Sequence, residues 1–314
     1  MMRRNIALLA VVVPSATVLV TLPWWMPPYY LTLTNRVLYY SLLALSFSFL
    51  AGRVGMVSLG QVAFFGFAAY AVAILTVRRE VPFPLPPLVG IVGGTLLAAG
   101  FGLIAIRTSG IYFLMITLAL GQVMWGVANR WVSMTNAYDG IPGLRAPVVA
   151  GINFQSPQAF YLAMLTVAWL CIGALYLLSR SHFGLALRGI RASPTRMAAL
   201  GYPVARLRYL AFVIAGALAS VSGVFFAYHT GYVNTSVFDL QRSVWVLLVS
   251  ILGGVEVFAG PIAGVAIVVV LESVFGQITQ RHALVIGIMF LLTVILAPDG
   301  ILGRLRTLKV FRRS

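Results

Sequence analysis

Residues that could perform chemistry are few, and their spacing excludes most catalytic designs. The only lysine, Lys309, is followed by Val310, so the chain holds no glycine-rich loop ending in Lys-Ser/Thr of the kind that cradles nucleotide phosphates. His182, His229 and His282 lie far apart, without the paired helical spacing of a zinc site. The single cysteine, Cys171, stands beside Ile172 inside an apolar run and reads as packing. The acids are Glu80, Asp139, Asp239, Glu256, Glu272 and Asp299. Only Glu256 and Glu272 fall within apolar segments. Both sit near segment ends, where a carboxylate reaches water or an arginine, so an interfacial role outweighs a proton relay. No acid, base and nucleophile cluster emerges, and the expectation is a chain with no catalytic, metal or cofactor residue of its own.

The informative polar segment runs from Arg180 to Arg208, with six arginines, its two ends included, and no acid. Ser193-Pro194 offers a helix N-cap followed by proline at the first helical position, Gly201 suits a left-handed C-terminal cap, and Pro203 stops continuation. A short helix, Pro194 to Leu200, follows. Met197 and Leu200 are three apart and share a face, Ala198 and Ala199 keep the helix slim, and Arg191 and Arg196 are expected to remain available to solvent or an acidic partner. So short a helix does not persist alone in water, so something must hold it: anionic lipid or, by preference, a partner protein.

The elements that carry this segment are membrane spans. Of 314 residues, 61% are hydrophobic and 9% charged, with a mean hydropathy of +0.99, too apolar for water to be the main solvent. Apolar runs of ~20 residues match the ~30 Å core of a bilayer when helical. They are apolar on every face, unlike the alternating strands of a barrel. The pattern predicts an all-α, polytopic bundle of about ten spans, near 6 to 22, 29 to 50, 55 to 77, 84 to 106, 111 to 131, 158 to 179, 209 to 231, 243 to 256, 260 to 277 and 282 to 298. The first, after Arg3 and Arg4, reads as an uncleaved span and not a signal peptide, because no A-x-A-like site follows it. With both termini inside, fifteen of the basic residues fall in the cytoplasm and seven outside, which follows the positive-inside rule despite the outer Arg78-Arg79 pair. The net charge of +16 is thereby distributed over span ends, which argues against a nucleic-acid surface. The whole chain, 1–314, reads as one transmembrane domain with a cytoplasmic loop at about 180–208 and a basic cytoplasmic tail at about 299–314.

Two stretches interrupt the spans: Gly52 to Gly60, and Val244 to Phe275 with Gly253, Gly254, Gly260 and Pro261. Broken backbone inside a membrane is tolerated where it lines a cavity or is buried in protein, so Ser58, Gly60, Gln61, Gly253 and Gly254 are candidates for a conduit, with close helix packing as the alternative for the glycines. The segment from Leu59 matches that from Leu252 at 7 of 16 positions, which leaves an internal duplication and mere apolar composition equally open. Between Val132 and Ser156 the chain is too polar for a span. With Asp139, Gly140, Pro142 and Gly143 it reads as an outer loop, either a docking surface or an ordinary connection.

These residues resemble the permeases of the branched-chain amino acid ABC importers, LivM type. The carboxyl-terminal half carries the resemblance most strongly, in Gly184 to Arg191, Ala198 to Tyr202, Leu210 to Phe212, Ser222-Gly223, Leu252 to Gly254, Ala259 to Pro261 and Pro298 to Gly303. Val57 to Gly66, Arg107 to Phe113 and Asp139 to Gly143 look like the family's other signatures. The resemblance implies an inner-membrane importer subunit that works beside a second, LivH-like permease, two cytoplasmic ATPases that bind ATP and magnesium, and a periplasmic substrate-binding protein. By the same resemblance, Ala198 to Gly201 lie in a coupling helix pressed into an ATPase groove, with Arg191, Pro194 and Met197 around it. Many family members have acids just after the arginine matching Arg191, whereas this chain continues Ala192-Ser193-Pro194-Thr195-Arg196. Branched-chain amino acids lead as substrates, with urea, short amides or organic acids behind them. The competing classes are a secondary transporter or channel and, further off, a membrane enzyme.

Overall fold

In a computed structural model the chain is all-α apart from four two-residue strands, and residues 19–149, 152–278, 287, 290–291 and 300–303 are described. Among them, helices α1 (Pro28–Phe49), α2 (Gln61–Ala73), α3 (Leu85–Ala105), α4 (Ile111–Arg130), α5 (Val132–Thr135), α6 (Pro157–Arg180), α7 (His182–Ala192), α8 (Pro194–Ala199), α9 (Val204–Thr230), α10 (Leu240–Gly253) and α11 (Gly260–Ile278) follow in order. Six of these, counting the π-helical turns that extend α1 to Val54 and α2 to Arg78, are long and apolar enough to cross a membrane, while α10 and α11 are shorter. Most of the expected first span, the tenth span and the basic tail lie outside the described residues.

Their ends are set by local chemistry. Proline opens α1, α3 and α6 within the first helical turn, where its missing N–H is no loss, and Ser156 caps α6 by accepting from Ala159 N–H at 3.3 Å. The largest departure from the expected spans is at 55 to 60. That stretch is irregular, and the helix begins only at Gln61, because α1 ends through a π-helical turn at Gly55, a left-handed residue.

α1, α2 and α9 form the middle of the bundle. Phe64, Phe65 and Phe212 are fully buried there, and α3 packs across α2 and α9 through a stripe of small residues, Gly90, Gly94, Ala98 and Gly102. A Cβ on Gly94 would stand 2.3 Å from Ser220 Oγ, and one on Gly223 would stand 2.0 Å from Phe65 O, so the backbones touch where side chains would part them. In a bilayer this close approach replaces the hydrophobic effect as the packing force. α6 closes one flank through Leu31, Tyr161 and Leu165, and α10 with α11 closes another against Ala44. α4 is the most exposed of the six spans.

The matched segments share a break that leads into a helix: Leu59-Gly60 precedes the helix that starts at Gln61, whereas Leu252-Gly253 ends α10 and a turn runs to Gly260, where α11 starts.

Candidate functional site

The end of α1 meets the second interruption, where a Cβ on Gly52 would stand 2.4 Å from Val255 O, while the Leu59 to Gln61 part of the first is held by the start of α10 and by Ser46 of α1. Ser243 Oγ donates to Leu59 O at 3.1 Å, Ser48 Oγ to Val255 O at 2.9 Å, and Ser46 Oγ to Gln61 Oε1 at 3.5 Å. Ser58 and Gln61 are buried, and Ser58 Oγ accepts the Gly60 N–H at 3.3 Å. Gln61 Nε2, by contrast, is buried without a partner among the described residues, a loss worth ~1–3 kcal/mol if permanent. Gly253 and Gly254 make the second break. Gly254 has φ 104°, and a Cβ on Gly253 would stand 1.9 Å from Gly260 O, so the return into α11 is a backbone-on-backbone crossing. Helix interruption and close packing, the two alternatives for these glycines, coincide at this point.

The arginine-rich segment forms an arm of two helices beside these breaks. Ser181 caps α7 and Ser193 caps α8, accepting from Gly184 N–H at 3.5 Å and Arg196 N–H at 3.3 Å. α8 ends in a paired cap: Gly201 N–H bonds Ala198 O at 2.9 Å and Tyr202 N–H bonds Met197 O at 3.1 Å, with Gly201 at φ 84°. The helix is six residues, one fewer than expected, with Leu200 as its cap. Met197 and Leu200 do not share an environment. Met197 is half-buried against α7, its sulfur where a Cβ on Gly189 would be, whereas Leu200 is 73% exposed. Pro194, Ala198, Ala199, Leu200 and Gly201 therefore form an exposed, largely apolar knob.

Arg191 departs from the expectation of an available cation. Its Nη1 donates to Gly52 O at 2.7 Å, its Nη2 pairs with Glu256, and Arg188 Nη2 donates to Ser179 O at 2.9 Å. The reason lies in α1: its last carbonyls have no helical donor, and a guanidinium supplies one with charge assistance. Arg191 thus ties the arm to the π-helical turn of α1 and to the turn between α10 and α11. Sequence spacing gives no signal for this, since Gly52 lies 139 residues and Glu256 65 residues away.

The opposite end of the bundle carries the segment 132–156. Strand β1 (Ile141–Pro142) pairs antiparallel with β4 (Tyr232–Val233), while β2 (Val148–Val149) pairs with β3 (Ile152–Asn153), so the connection is partly ordered. Asp139 is exposed, and it is its backbone oxygen that accepts the Tyr232 hydroxyl, at 3.1 Å. Gly140 is buried, where a Cβ would stand 2.5 Å from Val233 O. At this end a cavity of about 280 Å³ opens between α1, α10 and α11. Glu272 there accepts from Arg36 Nη2 at 3.4 Å and from Trp245 Nε1 at 2.9 Å. Glu256 and Glu272 each meet an arginine, as expected of carboxylates near span ends. Arg36, Arg242 and Asp239 gave no sequence signal beyond charge.

Comparison with known proteins places this geometry. A family model described as branched-chain amino acid transport system / permease component matches residues 29–294. The chain is 25% identical over 300 residues to the high-affinity branched-chain amino acid transport system permease protein LivM of Salmonella typhimurium, covering 87% of this chain and 70% of that protein. It is 25% identical over 293 residues to LivM of Escherichia coli, covering 85% and 68%. A probable LivH permease of Methanocaldococcus jannaschii is 26% identical over 210 residues, covering 63% and 66%. No solved structure matches.

Proposed function

Because the chain belongs to the permease components of branched-chain amino acid transport systems and is a multi-pass membrane protein of transport, not catalysis, we propose that it is one of two permeases in an ATP-driven importer of branched-chain amino acids. In this reading it pairs with a LivH-like subunit in the bacterial inner membrane and crosses about ten times with both termini in the cytoplasm. Two cytoplasmic ATPases bind the ATP and magnesium, and a periplasmic binding protein delivers the solute.

The observation that carries the reading is the arm. A helix of six residues held by caps at both ends, with an exposed apolar knob and a sulfur anchored on the neighbouring helix, is built to be received by another protein. Its coupling to the membrane runs through Arg191. When α8 is pushed, α7 moves with it through Met197, and Arg191 carries that displacement to Gly52 and Glu256. These lie at the ends of the two interrupted segments, where Ser58, Gly60, Gln61, Gly253 and Gly254 stand. We read the breaks as the gate: irregular and turn backbone changes shape without unwinding a helix, and the unpartnered Gln61 amide is free to meet a passing solute. Asp139 and Gly140, at the other end, face the binding protein.

Pull-down of the chain in mild detergent with its genomic neighbours tests this. Recovery of two ATPase chains and one further permease is expected; a chain that purifies alone and moves solute alone in liposomes is instead a secondary transporter or channel.

A further inference from the structure

The cavity at the end opposite the arm is lined by Arg36, Tyr40, Asp239, Arg242, Trp245 and Glu272, among others. Two guanidiniums face two carboxylates, so its charged lining sums to zero. The four groups are unequally committed. Both oxygens of Glu272 are taken, one by Arg36 and one by the Trp245 indole. Arg242 spends only Nη1, on the Tyr40 hydroxyl at 3.0 Å, and has no carboxylate within ion-pair distance among the described residues. Its guanidinium carbon lies 5.2 Å from the Phe226 ring centroid and 5.8 Å from that of Phe65, so aromatic faces hold it in place without neutralising it. Asp239 is the N-cap residue of α10, where a carboxylate ordinarily accepts the N–H two or three residues on, yet its side chain makes no such bond. A free anion and a free cation thus stand three residues apart on one helix start, with an aromatic wall three further residues along at Trp245.

We propose that this vestibule binds one zwitterionic α-amino acid, its carboxylate on Arg242, its ammonium on Asp239 and its side chain against Tyr40 and Trp245. The proposal rests on the importer reading and names a binding site for its solute, which that reading leaves open. A solute with one charge of each sign pairs both free groups and leaves the lining neutral. A pure anion or cation leaves one group unmatched, and uncharged urea or an amide pairs neither with an opposite charge; in a partly desolvated site unmatched charge is costly. A volume of about 280 Å³ lies at the lower edge of the ~300–1,000 Å³ of small-molecule sites, which suits a solute smaller than a drug. The planar fork of Arg242 matches a carboxylate in a way a lysine would not.

The test uses the assembled importer in nanodiscs, without binding protein, and saturation-transfer NMR with three probes: leucine, 4-methylpentanoate and 3-methylbutylamine. Leucine is expected to contact the protein, and the two probes that lack one charge are expected to do so at least about tenfold more weakly, the worth of one charged hydrogen bond. Arg242→Gln should bring leucine down to the level of 3-methylbutylamine, and Asp239→Asn should bring it down to that of 4-methylpentanoate. Arg242→Lys should restore part of the leucine signal. Retention of the ATPases on pull-down identifies variants that assemble. Equal signals from all three probes, or a leucine signal unchanged in assembled Arg242→Gln, overturns the vestibule. ATP-driven leucine uptake with binding protein present is measured separately: its absence in the unmutated importer contradicts the importer reading, while the nanodisc result still decides the vestibule.

Discussion

Each end of the bundle carries an arginine paired with a glutamate, and the surroundings give the two pairs different work. At the arm end, Arg191 and Glu256 are exposed, with the glutamate side chain 73% accessible, and the firmer contact is the one from Arg191 to the Gly52 carbonyl. An exposed ion pair contributes ~0–1 kcal/mol, whereas a charge-assisted bond to a helix-end carbonyl contributes ~1.5–3 kcal/mol. At the vestibule end, Arg36 is as exposed as Arg191 but Glu272 is more shielded than Glu256, and the pair leaves Arg242 and Asp239 unpaired beside it. In the proposed function one end is a mechanical joint; in the proposed vestibule the other is a receptacle. The contrast teaches that arginine position alone, which orients the chain, says nothing about what each arginine holds.

The sharpest way to break the joint is at Gly201. With φ 84° and nothing within 4 Å of a Cβ, a side chain there strains the backbone without clashing inside the chain. Gly201→Val is expected to cost about 1–2 kcal/mol in the cap and lower both ATPase retention and substrate-stimulated hydrolysis about tenfold, at normal membrane abundance. Gly201→Asn, which tolerates the left-handed region, should keep most of both; equal loss in the two variants would assign the defect to groove crowding instead.

Removing the joint's donor comes next. Arg191→Gln should retain the ATPases but cut transport per ATP hydrolysed about fivefold, while Glu256→Gln, at the exposed side of the same guanidinium, should cost at most about twofold. Equal effects in the two variants would shift the joint from Gly52 to the ion pair.

At the proposed gate, Gln61→Cys in a Cys171→Ala background should react with a small water-soluble thiol reagent during turnover and stay protected at rest, because position 61 is buried in this structure. Protection in every transport state would remove Gln61 from the path.

The smallest effect is expected at the outer loop. The Tyr232 hydroxyl bonds the Asp139 backbone oxygen, so Asp139→Ala leaves that contact intact and should slow transport about twofold, at limiting binding protein only. Uptake assayed across a range of binding-protein concentrations checks this, and a defect that persists at saturation would point to folding instead of docking.

Much of the scaffold was legible in the sequence because its signals are local. The apolar runs placed the ends of α3, α4 and α6 within two residues, and Ser193-Pro194 with Gly201 announced α8 and its caps. The interruption at Gly52 to Gly60 was legible from its glycines, but its extent was not: residues 55 to 60 are as apolar as the helices around them, and only the π-helical exit of α1 shows where the helix stops. Nor were the contacts that give the arm and the vestibule their meaning. Arg191 with Gly52, Trp245 with Glu272 and Arg242 with Tyr40 join residues far apart in the chain, and no spacing rule connects them. The stripe of small residues on α3 is periodic in the sequence, but its partners on α2 and α9 are set by packing alone.

Protection of Leu200 tests the central claim most directly. In a Cys171→Ala background, Leu200→Cys should react rapidly with a membrane-impermeant maleimide on the permease pair in nanodiscs, since the side chain is 73% exposed, and become protected when the ATPase subunits are added. Labelling that is fast with and without the ATPases, or already blocked by lipid before they are added, would contradict a docking role for α8.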